Sequence, residues 1–152
     1  MEIDYLADRP DHLETVARWH HDEWSALRGG QSLEECRREL QATMTRGDFP
    51  TTVVAVDDDE VVGSASLVES AMETRPDRRP WLAGVYVADE HRNRGIGSLL
   101  VERITDEAAA HGFSKIFLFT TGSASLYARL GWERLTDDEY HGHTVAVMRR
   151  DL

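Results

Sequence analysis

The sequence predicts one α/β (α+β) domain over residues 1–152, with seven strands and four helices in the order β-α-α-β-β-β-α-β-α-β-β. Three observations point to this class. Short β-branched or aromatic runs, such as Thr51–Val56 and Ile116–Phe119, alternate with longer stretches of helical periodicity. The run Trp81–Val87 leads through a polar turn into a glycine-bearing loop and then a helix opening at about Ser98. A chain of 152 residues that is 41% hydrophobic can close one core without disulfide or metal staples.

In chain order, Ile3–Leu6 reads as a short first strand. Asp11 then serves as an expected N-cap, with Glu14 completing a capping-box pattern, and Leu13, Val16, Ala17 and Trp24 lie near one helical face. This helix is expected to reach about Leu27 and stop at Gly29-Gly30. Ser32 and Glu35 repeat the capping box, and Leu33, Cys36, Leu40 and Met44 form the next apolar stripe, ended by Gly47 and Pro50. Thr51–Val56 and Val61–Val68 are hairpin partners across an acidic turn, and residues 72–80 form a loop to the central strand. The helix after Gly97 carries Leu99, Leu100, Ile104 and Ala108 and stops at Gly112. Ile116–Phe119 suits a strand buried on both faces, Ala124–Leu130 is a short helix, a strand starts at Trp132–Leu135, and Thr144–Met148 is the last strand.

The stretch from Trp81 to Leu100 organises the rest. Strand, glycine loop and helix N-terminus together make a site for a phosphorylated ligand. Gly95 and Gly97 let the backbone approach closely, and the first-turn amides carry about half a positive charge from the helix dipole. Arg92 and Arg94 add full charges that grip phosphate oxygens. A dinucleotide fingerprint would need a third glycine where Leu100 stands, and a P-loop would need Gly-Lys-Ser/Thr, whereas the sole lysine is Lys115.

The net charge of −11 argues against nucleic-acid binding, which requires basic residues to neutralise phosphates. It keeps the protein soluble and is able to steer a cationic amine. One cysteine, Cys36, forbids an intramolecular disulfide and reads as core. The N-terminus MEIDYLADRP has no apolar signal core and no run approaches a membrane span, so a cytoplasmic protein with no membrane partner is expected. His20-His21-Asp22-Glu23 and His141-Gly142-His143 have no third ligand at a recognised spacing and read as a helix face and a loop, so no metal is expected.

Arg92-Asn93-Arg94-Gly95-Ile96-Gly97, directly after an apolar strand, resembles the acyl-CoA loop of the GNAT superfamily of N-acetyltransferases. Tyr127-Ala128-Arg129-Leu130-Gly131-Trp132 looks like that family's Tyr-x-x-x-Gly-Phe/Tyr signature, and the element order agrees over nearly the whole chain. The resemblance implies a mixed, mostly antiparallel sheet with flanking helices. It implies acetyl-CoA as cosubstrate and direct transfer of its acetyl group to a primary amine, on a small molecule or on a peptide or protein. Val85, Tyr86 and Val87 would pair through their backbones with the pantetheine arm, the Val87 N–H facing the thioester carbonyl. Residues Arg92, Asn93, Arg94, Gly95, Ile96, Gly97 and Ser98 would hold the pyrophosphate; where relatives often have a cofactor-touching asparagine this chain has Thr121-Gly122-Ser123, so that contact is made by a hydroxyl, that of Ser123, or is absent. Tyr127 would be the general acid for the departing thiolate. The strand Ile116–Phe119 lacks the glutamate that some relatives place there, so the base is Glu69, or Glu73, or none if the amine arrives partly neutral. Trp24 would wall the acceptor site, and a homodimer is open, as relatives are frequently dimeric. The rival expectation is a non-catalytic acyl-CoA-binding sensor.

Overall fold

A computed structural model describes residues 1–152. Seven strands form one sheet: β1 (Glu2–Tyr5), β2 (Thr51–Asp57), β3 (Glu60–Val68), β4 (Trp81–Val87), β5 (Lys115–Thr120), β6 (Glu133–Tyr140) and β7 (His143–Asp151). Their spatial order is β1-β2-β3-β4-β5-β7-β6. Every neighbouring pair is antiparallel except β4 and β5, which are parallel and share only the pair Trp81↔Phe117. The mixed, mostly antiparallel sheet is therefore as expected, with one weak seam at its centre.

Four helices cover the two faces: α1 (Leu13–Trp24), α2 (Leu33–Gln41), α3 (Ile96–Ala110) and α4 (Ala124–Arg129). Alternation along β2 sorts the packing, since successive side chains of a strand point to opposite faces. Val54 and Val56 meet Val16, Ala17 and Leu40 of α1 and α2. Val53 and Ala55 face Leu100, Ile104 and Ala108 of α3, in a cluster that continues to Tyr127 and Trp132. Each fully buried Leu or Ile in that layer contributes about 2 kcal/mol of apolar transfer. A third cluster, with Trp81, Phe117, Tyr140 and Val147, closes the seam end where β4 and β5 still touch. No helix is long and apolar enough to cross a membrane.

Several boundaries differ from expectation for local reasons. Asp11 caps nothing. Pro10–His12 is already a 3-10 turn, so α1 opens at Leu13 behind His12 without a side-chain cap. At its other end α1 stops at Trp24, short of Leu27, and a 3-10 turn over Ala26–Arg28 follows. The Ser32–Glu35 capping box of α2 is present in both directions. That helix ends at Gln41, where the Thr43 hydroxyl donates to the Leu40 carbonyl (2.7 Å) and tightens the last turn. α3 begins at Ile96, two residues before the expected Ser98, because Gly95 takes the left-handed N-cap conformation.

Candidate active site

Beyond Phe117, β5 diverges from β4 and leaves a cleft of about 510 Å³ through the sheet. Trp24 and Leu27 line it from the α1 side, Tyr127 and Ser123 from the α4 side, and residues 82–85 of β4 and 118–120 of β5 form its flanks. One ligand in this opening would therefore meet both layers.

At the mouth, the loop after β4 offers amides with no protein acceptor. The first backbone bond of α3 is Leu99 N–H to Gly95 C=O (3.1 Å), and no side chain caps the helix. The N–H groups of residues 93–98 donate to no backbone carbonyl. Gly95 has φ +79° and open space on its Cβ side. Asn93 is also left-handed, at φ +65°. These are the properties of an anion cradle at a helix N-terminus.

Arg92 departs from expectation. Its Nε donates to the Val87 carbonyl (2.9 Å), it pairs with Asp89 (2.9 Å), and its guanidinium lies over the Tyr86 ring (5.5 Å). It braces the loop against the end of β4, leaving Arg94 as the guanidinium without an ion pair there. Tyr86 is also displaced from its expected place. Ala88 N–H donates to Val62 C=O (2.9 Å), so strand alternation turns the Tyr86 backbone toward β3 and the Val85 and Val87 backbones toward the seam. The Tyr86 ring stacks on Trp19 (4.9 Å) in a separate acidic depression.

The Tyr127 ring packs edge-on against Trp132 (6.1 Å), and its hydroxyl bonds to no protein group. Burial pushes its phenol up to about 12, which keeps it protonated and able to donate. Glu69 lines the cleft, with Arg79 bonded to both its oxygens (2.6 and 2.8 Å). Hydrogen bonding from Arg79 holds that carboxyl below its ordinary range, so Glu69 is ionised. Glu73 does not line the cleft: it receives the Tyr140 hydroxyl and pairs with His141 (2.9 Å). Ser123 lines the cleft with its own N–H turned to Thr120 Oγ1 (3.1 Å).

The sequence reading missed a half-buried polar group on the α1 side. His20, read from the sequence only as part of a helix face, is half-buried against β4 and lines the cleft. Its Nε2 lies 3.1 Å from Ser64 Oγ, which donates to the Gly84 carbonyl (2.9 Å). Burial, aided by the Arg28 charge, pushes the imidazole down to about 4, so the ring is neutral. The available signal was spacing: His20 is one helical turn beyond the buried Val16.

A sheet split beside a helix-terminal anion cradle, with a tyrosine in the opening, defines the class: an acyltransferase fold. The chain belongs to the acetyltransferase (GNAT) family, whose model matches residues 13–132. Among solved structures it resembles aminoglycoside 6′-acetyltransferase type Ii, with 20% identity and a TM-score of 0.75 over 99% of this chain and 97% of that one. It resembles an aminoglycoside 6′-N-acetyltransferase complexed with coenzyme A at 17% identity and a TM-score of 0.78, over the same 99% and 97%. A ribosomal-protein-alanine N-acetyltransferase from Brucella melitensis aligns over 100% of both chains, with 22% identity and a TM-score of 0.74. At these identities the likeness establishes the fold. Comparison with curated proteins finds no match.

Proposed function

We propose that the protein transfers the acetyl group of acetyl-CoA to a primary amine by direct attack, without a covalent enzyme intermediate. The observation that carries this reading is the single β4–β5 pair, which opens a through-sheet cleft next to the unpaired amides of residues 93–98. Acetyl-CoA supplies an activated thioester on a long arm ending in phosphates, and each part has a match here. The amides of residues 93–98 and the Arg94 guanidinium hold the pyrophosphate. The seam-facing backbone groups of Val85 and the N–H of Val87 take the place of a missing strand and pair with the arm, and Ser123 adds a hydroxyl from the α4 side.

Tyr127 donates its proton to the thiolate sulfur as the carbon–sulfur bond breaks and the new carbon–nitrogen bond forms. Glu69, kept ionised by Arg79, takes the proton that the amine loses, directly or through water. Trp24 walls the acceptor side, which faces α1 and α2. The acceptor is a small molecule or a peptide amine. The structural neighbours named above suggest one of each.

The test is to incubate the protein with acetyl-CoA and an amine panel that includes an aminoglycoside, an N-terminal alanine peptide and a lysine peptide. Free thiol release is followed. Amine-stimulated thiol supports the proposal. Acetyl-CoA binding with no stimulated thiol for any amine favours a sensor.

A further inference from the structure

We propose that His20 and Ser64 are positioning residues for the reaction. Together they set the Gly84–Val85 peptide so that the Val85 N–H, not that of Val87, faces the thioester carbonyl. The inference rests on the acetyl-transfer reading above.

The strand itself calls for such a device. Ser64 pairs with Tyr86 and Ser66 with Ala83, so Gly84 and Val85 together oppose the single residue Ala65. That is a bulge, where ladder bonding lapses and a peptide is free to turn unless something holds it. Gly84 has φ +62°, which L side chains rarely adopt.

Ser64 Oγ lies 2.9 Å from the Gly84 oxygen, and a carbonyl only accepts, so the one hydroxyl hydrogen of Ser64 is committed there. His20 Nε2, 3.1 Å from the same Oγ, must then be the donor. This places a proton on Nε2 of the imidazole. Packing adds to the hydrogen bonds. A Cβ on Gly84 would lie 2.7 Å from His20 Cε1 and 3.0 Å from Nε2, so the ring rests on the glycine α-carbon and bars the peptide from flipping.

In a trans peptide the N–H points opposite to the C=O. With the Gly84 carbonyl held toward Ser64, the Val85 N–H is turned away from β3 and from the α1 face. On that side β5 has already left, and Val85 lines the cleft. Val87 does not line it, and its carbonyl is occupied by Arg92. A donor held in place before the carbonyl oxygen gains charge costs no reorganisation during the reaction.

The experiment binds acetyl-CoA, labelled with carbon-13 at the thioester carbonyl, to the full chain and reads the carbonyl stretch by isotope-edited infrared difference spectroscopy. Calorimetry gives the affinity. Wild-type protein lowers the stretch below that of free acetyl-CoA. Ser64→Ala and His20→Leu lose most of this lowering while acetyl-CoA affinity changes by less than about threefold, since the phosphate cradle is untouched. His20→Gln keeps an N–H for Ser64 and retains at least about half of the lowering. Ser64→Ala deletes one oxygen from the same chain of bonds and carries the test if His20→Leu does not fold. A folded Ser64→Ala protein with the wild-type stretch overturns the proposal and leaves acetyl transfer standing, as does a wild-type protein that binds acetyl-CoA without lowering the stretch. A wild-type protein that does not bind acetyl-CoA overturns both.

Discussion

Replacing His20 by Gln tests whether the imidazole is held neutral inside the fold. The ring's proton affinity falls from an ordinary value near 6.5 to about 4 because burial excludes water and Arg28 repels a second charge. The unfolded chain therefore binds a proton between those values that the native protein refuses, and stability is lost as pH falls through that window. The gap is worth about 3 kcal/mol once pH is below 4, and about 2 kcal/mol between pH 7.5 and pH 5. For 152 residues, at about 2 cal/mol/K of unfolding entropy per residue, 2 kcal/mol corresponds to a melting shift of about 6 °C. Carboxylates such as Glu69, held low by Arg79, and Asp138, held low by Arg75, add an acid slope of the same sign, so the informative quantity is a difference. Urea titrations at pH 7.5 and pH 5 on wild type and His20→Gln measure it. The variant keeps the carboxylate slope and sheds about 2 kcal/mol of the acid loss. Equal losses in both proteins would show that the ring titrates freely and refute its neutral burial.

Tyr127→Phe is expected to lower kcat on any accepted amine by about 100-fold or more with acetyl-CoA affinity unchanged, since only the proton for the thiolate is removed; an unaltered rate dismisses the tyrosine as acid. Glu69→Gln is expected to lower kcat about tenfold at pH 7, and the deficit shrinks above pH 9, where the amine sheds its own proton. A constant deficit across that pH range points to a packing effect instead. Gly84→Ala places a Cβ at φ +62° and 2.7 Å from the His20 ring, and is expected to cost about 2 kcal/mol in urea unfolding. Arg94→Ala is expected to weaken coenzyme A binding by about tenfold with a shallower salt dependence, whereas Arg92→Ala, whose side chain braces Val87 and Asp89, changes binding less and lowers the melting temperature more.

What could be read from the chain was what depends on neighbours in sequence. Trp81–Val87, the glycines after it and the Ser32–Glu35 box all carry their meaning within a few residues, and all stand where expected. The seven strands and four helices also follow the predicted order. The failures share a cause. Asp11 has the right chemistry for a cap, but Pro10 starts a turn one step earlier. Arg92 matches a phosphate motif, yet its guanidinium finds the Val87 carbonyl closer at hand. Glu73 is captured by Tyr140 and His141, residues near the other end of the chain. The bulge at Gly84 and the burial of His20 follow from the register of β3 against β4 and from where α1 lies on the sheet. Neither leaves a local mark. From the sequence, His20 within its His-His-Asp-Glu run read only as part of a helix face.

The lone Trp81↔Phe117 pair has a mechanical consequence. Strands β1–β4 and strands β5–β7 form two plates that share one ladder pair, a knot of aromatic rings on one face and the α3 core layer on the other, with no continuous ladder between them. Whatever lies between the plates adds stiffness to that supplied by the packing of α3 across them. Occupancy of the gap should thus be legible as slowed amide exchange in β7, which lies behind the cleft-lining strand β5.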